Sequence, residues 1–116
     1  REFLQVESDR SAGNFALGVL AEQLGDTQTA LRHYEDAIRI EPTSVGPRTN
    51  LAALLETLAT QNSSNPELQG KLTNRAKLLR GEELPLLLRD FSYAPQNAAI
   101  ASRIGLAYYL QTDLQN

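Results

Sequence analysis

Apolar residues recur at intervals of three and four along most of the chain, which is the spacing of one face of an α-helix. The first such stretch covers residues 12–24 and is followed by Gly25 and Asp26. Glycine can adopt the left-handed conformation that ends a helix, and aspartate can cap the next one. A second helix is predicted over 27–40, because Pro42 lies just beyond it and cannot donate a helix hydrogen bond. The apolar positions of these two helices are Ala12, Phe15, Ala16, Val19, Leu20 and Leu24, then Ala30, Tyr34, Ala37 and Ile38.

The same spacing continues in the second half of the chain. It predicts a third helix over residues 45–60 and a last helix over 98–111. No segment alternates apolar and polar residues as a half-buried strand would, so the predicted fold class is all-α. The apolar positions here are Leu51, Leu54, Leu55 and Leu58, then Ile100, Ile104, Ala107 and Tyr108.

The stretch between these helices has its own helix signals. Residues 65–67 are Asn, Pro and Glu, which provide a capping side chain, a proline for the first helical position and an acid for the first turn. Gly81 can close the helix that starts there. We expect a helix over 66–80 and another over 82–93, and the alternative is one long kinked helix over 66–93.

The chain also repeats itself. Residues 14–42 are restated in part at 101–116, where Ile104 and Gly105 correspond to Leu17 and Gly18. Residues 48–55 restate the same stretch again. A recurring helical unit of this kind is typical of stacked-repeat proteins.

The repeated unit resembles the tetratricopeptide repeat, a helix–turn–helix unit of about 34 residues. With the first repeat at 11–44, Asn14 stands where the family has an aromatic residue, and an alanine replaces the usual tyrosine at position 21. The resemblance implies a right-handed α-solenoid of stacked antiparallel helix pairs, in which Gly18 and Ala30 allow close approach and Tyr34 fills the space between repeats. The signature positions are Leu17, Gly18, Ala21, Gly25, Ala30, Tyr34, Ala37 and Pro42 in the first repeat, Leu51 and Pro95 in the second, and Ile104, Gly105 and Tyr108 in the third.

The second repeat is longer than the family period. Pro42 and Pro95 are 53 residues apart, about 19 more than one period. We therefore divide the chain into a second repeat at 45–97, with an extra helix inserted at about 61–79, and the first helix of a truncated third repeat at 98–116, with a break at residues 112 and 113. Residues 1–8 are interpreted as the end of a preceding helix, so the chain is expected to be a piece of a longer array.

Composition narrows the possible functions. The 116 residues carry 11 basic and 14 acidic side chains, a formal net charge of -3, whereas nucleic-acid-binding proteins normally carry a basic surplus on one face. No apolar run approaches the ~20 residues that span a bilayer. The chain has no cysteine, which excludes disulfides, thiolate metal sites and covalently attached haem. We expect a soluble domain that binds neither nucleic acid nor membrane and holds no metal or cofactor.

Few residues could support catalysis. His33 is the only histidine, so no histidine pair is available for a metal or for acid–base chemistry, and its place outside the apolar stripe predicts a solvated side chain. Glu82 and Glu83 are interpreted as acids in the first turn of a helix, where negative charge is favourable. The sequence indicates a protein without enzymatic activity. A solvated basic helix face is predicted at Lys71, Arg75, Lys77 and Arg80.

The family resemblance places function on the concave groove lined by the first helix of each repeat. This groove lacks the Lys/Asn/Arg set with which some family members clamp the C-terminal carboxylate of chaperones. The favoured hypothesis is an interaction module that binds a peptide segment of another protein through apolar side chains. For Phe15 and Val19, the alternative is packing against a neighbouring repeat or against the remainder of a longer parent protein. The groove positions are Phe15, Val19, Glu22 and Gln23, then Thr49, Ala53, Glu56 and Thr57, then Ser102, Leu106 and Tyr109.

Other hypotheses stay open. The chain could be a structural segment that packs against a catalytic or redox domain of its parent protein, because residues 83–110 resemble repeat regions appended to bacterial multihaem cytochromes, although without a haem-binding motif. It could instead bind a nucleic acid or polyphosphate through the basic face at 71–80, against which the negative charge counts. The half-complete third repeat also predicts a homodimer or end-to-end packing through Ile100, Ile104 and Tyr108.

Overall fold

Five α-helices follow one another along the described part of the chain. The computed structural model describes the backbone of residues 3–115 and the side chains of residues 5–109. No strand occurs within these bounds, which confirms the all-α fold class. The helices are α1 (Phe3–Gln23), α2 (Thr27–Ile40), α3 (Val45–Gln61), α4 (Pro66–Tyr93) and α5 (Ala98–Gln115).

The turn between α1 and α2 follows the predicted chemistry. Gly25 has a φ of 78°, the left-handed conformation that favours glycine beyond a helix end. The Asp26 carboxylate caps α2 by accepting the Thr29 backbone N–H at 3.2 Å and the Thr29 hydroxyl at 2.7 Å. The hydroxyl bond first, and then the backbone bond, lower the pKa of Asp26. The predicted bounds of the second helix, 27–40, are confirmed.

The long fourth helix is continuous. α4 contains 28 residues with Pro85 in its interior, so the single-helix alternative is confirmed and separate helices over 66–80 and 82–93 are wrong. Proline cannot donate to the carbonyl four residues before it, which here belongs to Gly81. Side chains on both sides of this point pack against other helices, and this packing keeps the helix continuous.

The outer helices extend further than predicted. Residues 3–8 belong to α1 and do not form the end of a separate helix, while residues 1 and 2 lie outside the described part. α5 continues through Thr112 and Asp113 to Gln115, and the break expected there is absent. Neither point carries a left-handed glycine such as the one that follows α1 or a proline such as the one that follows α2.

Successive helices pack against each other in chain order, most extensively α1 on α2 and α3 on α4. The first core cluster joins α1, α2, α3 and the first part of α4, with Tyr34, Leu51 and Leu79 among its members. Residues 61–79, predicted as an insertion, therefore include a packing partner of α3, because Ala76 and Leu79 are buried in this cluster. The second cluster joins the start of α3, the later part of α4 and α5 through Val45, Leu84, Leu87 and Ala107.

The overall dimensions are those of a flat, slightly elongated body. The molecule measures 48 × 34 × 20 Å, and its thinnest dimension is about two helix diameters. The radius of gyration is 15.1 Å, against about 13 Å for a compact domain of this length. The helices therefore form a slab two layers thick.

α1 and α2 approach each other closely at Gly18. A Cβ atom at this position would lie 2.6 Å from Cδ1 and Cε1 of Tyr34, so only glycine fits without a shift. The Tyr34 side chain cannot easily give way, because it is fully buried together with Ala30 and Ala37. The small residue predicted for this helix crossing is therefore required by the packing.

Candidate functional site

A pocket of about 260 Å³ lies between α1, α2 and α3 and includes three of the predicted groove residues. Val19, Glu22 and Gln23 share one face of α1 because residues three and four apart are neighbours on a helix. Packing of α3 against α2 brings Asn50 to the same pocket. The complete lining is Val19, Glu22, Gln23, Tyr34 and Asn50; we call it the α1/α3 pocket.

Tyr34 connects the three helices at this pocket. Its hydroxyl donates to Glu22 Oε1 at 2.6 Å and accepts a longer hydrogen bond from Asn50 Nδ2 at 3.5 Å. Burial, and then the bond to Glu22, raise the pKa of Tyr34 to about 12. The phenol therefore keeps its proton at neutral pH and remains a donor to the carboxylate.

Phe15, the first predicted groove residue, packs internally. Its ring lies against Gly46 of α3, where a Cβ atom would be 2.7 Å from Phe15 Cε2. It also forms a tilted contact with Tyr34, with 6.1 Å between ring centroids. Phe15 and Val19 both pack against the first core cluster, but only Val19 also lines the α1/α3 pocket. The packing alternative therefore describes Phe15, whereas Val19 packs against the core and also lines the pocket.

The second group of groove positions, on α3, belongs partly to a charged network. Glu56 accepts two hydrogen bonds from Arg80 of α4, the shorter at 2.8 Å. These bonds are the main cause of a raised pKa at Arg80. Thr49 is half-buried and part of the same network, whereas Ala53 and Thr57 are exposed. The predicted acidic edge of the groove is thus neutralised at Glu56.

Glu83 is the buried centre of this network. Its side chain is only 9% exposed and lies inside α4, so its interpretation as a first-turn acid is wrong. Its carboxylate accepts a hydrogen bond from the Thr49 hydroxyl at 3.0 Å and pairs with Arg80 at 3.4 Å. Arg103 of α5 donates to Thr49 Oγ1 at 3.0 Å. One threonine hydroxyl therefore links α3, α4 and α5.

The third group of groove positions, on α5, lies apart from the α1/α3 pocket. Ser102 is exposed, and Leu106 and Tyr109 are 57% and 68% exposed. None of the three lines the pocket. The structure therefore brings together the α1 positions and a neighbour on α3, and it leaves the α5 positions as a separate exposed surface.

Some of the repeat-signature residues are buried, and others are exposed. Leu17 and Tyr108, for which the pattern predicts packing, are about half exposed, and Gly105 has open space beside it. Ile104 packs against the second core cluster. Pro42 and Pro95 are exposed and follow the ends of α2 and α4. The signature residues that are buried are Gly18, Ala21, Ala30, Tyr34, Ala37 and Leu51.

The structure also places a buried arginine that the sequence pattern does not indicate. The Arg48 side chain is 8% exposed, and its Nη2 lies 3.2 Å from Glu82 Oε2. Its Nε and Nη1 atoms are buried without a hydrogen-bond partner. A second pocket of about 400 Å³ adjoins this pair. The two residues are 34 positions apart, so no local spacing could reveal their pairing. This pocket is lined by Pro42, Arg48, Gly81, Glu82, Pro85 and Leu86.

His33 and one arginine of the basic face join neighbouring helices. His33 is half-buried rather than solvated, and its Nδ1 lies 2.9 Å from Asn14 Oδ1, so this polar pair joins α1 and α2 where the family has an aromatic residue. On the basic face, Arg75 donates two hydrogen bonds to Glu35 of α2, the shorter at 2.9 Å. Lys71 pairs with Glu67 at 3.5 Å.

Neither a metal site nor a membrane-spanning helix is found within the residues that the structure describes. No group of three or more histidine, aspartate or glutamate residues there could hold a metal ion. Among the same residues, no helix has the length and apolar character needed to cross a bilayer. Comparison of the chain with protein-family models, curated proteins and solved structures returned no match.

Proposed function

We propose that this chain is a non-catalytic protein–protein interaction module that binds a peptide segment of another protein in a groove between its helices. In this proposal the helices stack as antiparallel pairs in a right-handed α-solenoid similar to tetratricopeptide repeats. Chain-order packing, the two-layer thickness and the Gly18–Tyr34 contact support that arrangement. Such stacks present extended concave surfaces to their partners.

One observation carries the proposal. Val19, Glu22 and Gln23, which the family pattern assigns to the groove, line one pocket together with Asn50 of the next helix pair. The pocket joins an aliphatic wall to polar groups, and this combination suits a side chain of a docked peptide. The comparable positions on α5 are exposed and could extend the contact.

Selection from a displayed library of random peptides tests this function directly. The full chain is the bait, and selected peptides are then measured by fluorescence anisotropy against the parent and two variants. Val19→Glu places a charge on the aliphatic wall and is expected to weaken binding at least tenfold. Leu24→Glu introduces the same charge at a residue that is 75% exposed and outside the pocket, and it is expected to bind as the parent does.

Two results would contradict the proposed function. The first is a library from which no peptide is enriched by the folded parent. The second is a selected peptide that binds Val19→Glu and the parent equally well, with circular dichroism showing both proteins folded. In that case the α1/α3 pocket is not the recognition surface.

A structural role remains the second candidate because both outer helices carry exposed apolar side chains. On α1 and the turn after it, Leu17, Leu20 and Leu24 are 49%, 50% and 75% exposed. On α5, Leu106, Tyr108 and Tyr109 are more than half exposed. These surfaces could pack against another domain or a second copy. Sedimentation velocity distinguishes these cases, since self-association gives a sedimentation coefficient that rises with concentration and falls back in a Tyr108→Glu variant.

A further inference from the structure

The three glutamates near the proposed groove differ in their partners. Glu56 is engaged by Arg80, and Glu83 is buried between Thr49 and Arg80. Glu22 is exposed, and its carboxylate has a single hydrogen bond, from the uncharged Tyr34 phenol to Oε1. Among the side chains described at residues 5–109, no cation pairs with Glu22. The α1/α3 pocket therefore carries a negative charge that no basic side chain among residues 5–109 neutralises.

The size and the lining of the pocket restrict which ligand could bind beside the Glu22 carboxylate. Its volume of about 260 Å³ is below the range of about 300–1,000 Å³ typical of cofactor and drug-sized ligand sites. One extended amino acid side chain is a better match. Val19 offers an aliphatic wall, and Gln23 and Asn50 add side-chain amides to the lining.

We infer that the α1/α3 pocket takes a lysine or arginine side chain of the bound peptide. The methylene groups of that side chain lie along Val19, and its charged end pairs with Glu22, as long basic side chains do when they cross apolar surface. The Tyr34 hydroxyl holds Glu22 in place through the 2.6 Å hydrogen bond. The inference rests on the proposed function, because it specifies which residue of a peptide partner the groove recognises.

The peptides selected from the random library test the inference through their sequences and their response to two variants. Lysine or arginine is expected at one enriched position in nearly all of them. Glu22→Gln keeps an oxygen that accepts the Tyr34 hydroxyl but removes the charge, and it is expected to weaken binding about fivefold. Glu56→Gln is the matched control, since it removes the same charge from a groove position already paired with Arg80, and binding is expected to change less than twofold.

The peptide itself supplies the reciprocal test. Replacing its basic residue with norleucine is expected to weaken binding to the parent about fivefold and to leave binding to Glu22→Gln nearly unchanged, since the two changes remove the same interaction. Selected peptides that depend on Val19 but lack a basic residue, or that bind Glu22→Gln and the parent equally, would overturn the inference and leave the proposed function intact. If the library yields no peptide, both fail together.

Discussion

The contact between α1 and α2 and the junction of α3, α4 and α5 are built from different kinds of residue. The first depends on shape, because the Tyr34 ring occupies the space left by Gly18. The second depends on polar groups, because the Thr49 hydroxyl links the buried carboxylate of Glu83 to Arg103. Both junctions contain a buried residue, Tyr34 in the first and Glu83 in the second.

The difference teaches how local sequence relates to packing in this chain. Gly18 and Tyr34 lie on adjacent helices joined by a short turn, and the repeat pattern already indicates a small residue where these helices cross. Thr49 is 34 residues from Glu83 and 54 from Arg103, and the long α4 decides which of its residues reaches which neighbour. The shape-based contact is therefore readable from a repeat pattern, while the polar one depends on the whole fold.

Truncating a leucine in each of the two core clusters is expected to lower the free energy of unfolding more than any other change considered below. Leu79 and Leu87 lie on α4 and are each 1% exposed, but Leu79 belongs to the first cluster and Leu87 to the smaller second one. Leucine-to-alanine changes in a core typically lower the free energy of unfolding by about 2–5 kcal/mol. We expect Leu79→Ala to lie at the upper end of this range and Leu87→Ala at the lower end, as measured by urea denaturation. Equal losses would show that the two clusters are equally tight.

Alanine substitutions at two glycines of α1 test the shape-based contact. We expect them to change the free energy of unfolding in opposite directions, and by less than the core truncations do. Gly18→Ala places a methyl group against the Tyr34 ring and is expected to lower the free energy of unfolding by about 1–3 kcal/mol. Gly13→Ala on the same helix meets nothing within 4 Å and is expected to raise it by about 0.5–1 kcal/mol. Thermal and urea denaturation of both variants would measure this contrast. Stabilisation by Gly18→Ala would mean that the two helices are not in close contact.

The polar junction is tested by two threonines of α3. Thr49→Val removes the hydroxyl between Glu83 and Arg103 and is expected to lower the free energy of unfolding by about 1–2 kcal/mol, because a buried carboxylate loses a donor. Thr57→Val makes the same change at an exposed threonine whose hydroxyl bonds only to the Ala53 carbonyl, so a change within about 0.5 kcal/mol is expected. A similar loss of stability at both positions would show that the Thr49 hydroxyl does not stabilise the junction of α3, α4 and α5.

The smallest effect is at the exposed cap of α2. The pKa of Asp26 is lower in the folded protein than in the unfolded chain, so its contribution to stability is present above the unfolded value and is lost as the pH falls through the folded one. Asp26→Asn keeps an oxygen for the Thr29 bonds but cannot titrate. We expect the variant to show a shallower fall in Tm than the parent between about pH 5 and about pH 2. Parallel curves of Tm against pH for the two proteins would show that ionised Asp26 does not stabilise α2.

The sequence predicted the all-α class and the bounds of α2, because these depend on helix spacing and on strong end signals such as Gly25. The family resemblance implied a close helix approach at Gly18, but it placed Tyr34 between repeats, and the structure shows that the Tyr34 ring itself lies against Gly18. The sequence favoured a break in α4 because Gly81 can close a helix and the two acids after it are typical of a first turn, whereas burial on both sides keeps that helix continuous. It also assigned Tyr108 to a core position, although α5 has no further helix against this face in the described chain and the side chain is 53% exposed.

For the candidate site, the family resemblance indicated Val19, Glu22 and Gln23 as one surface. It did not indicate the partners that decide their chemistry. Asn50 and Tyr34 reach the pocket through packing between helices. The Glu56 carboxylate forms an ion pair with Arg80, which is 24 residues away in sequence. Which groove carboxylate stays unpaired is therefore a property of the tertiary structure.

Mapping of amide chemical shifts with a selected peptide would show whether the α1/α3 pocket is the surface that binds it. A titration followed in ¹H–¹⁵N correlation spectra of the labelled chain would report every backbone amide and the side-chain amides of Gln23 and Asn50. The account predicts that the largest shifts cluster at Val19, Gln23 and Asn50, and that Leu17, Leu20 and Leu24 on the outer side are little changed. Shifts concentrated on those leucines or on α5, with the α1/α3 pocket unaffected, would contradict it.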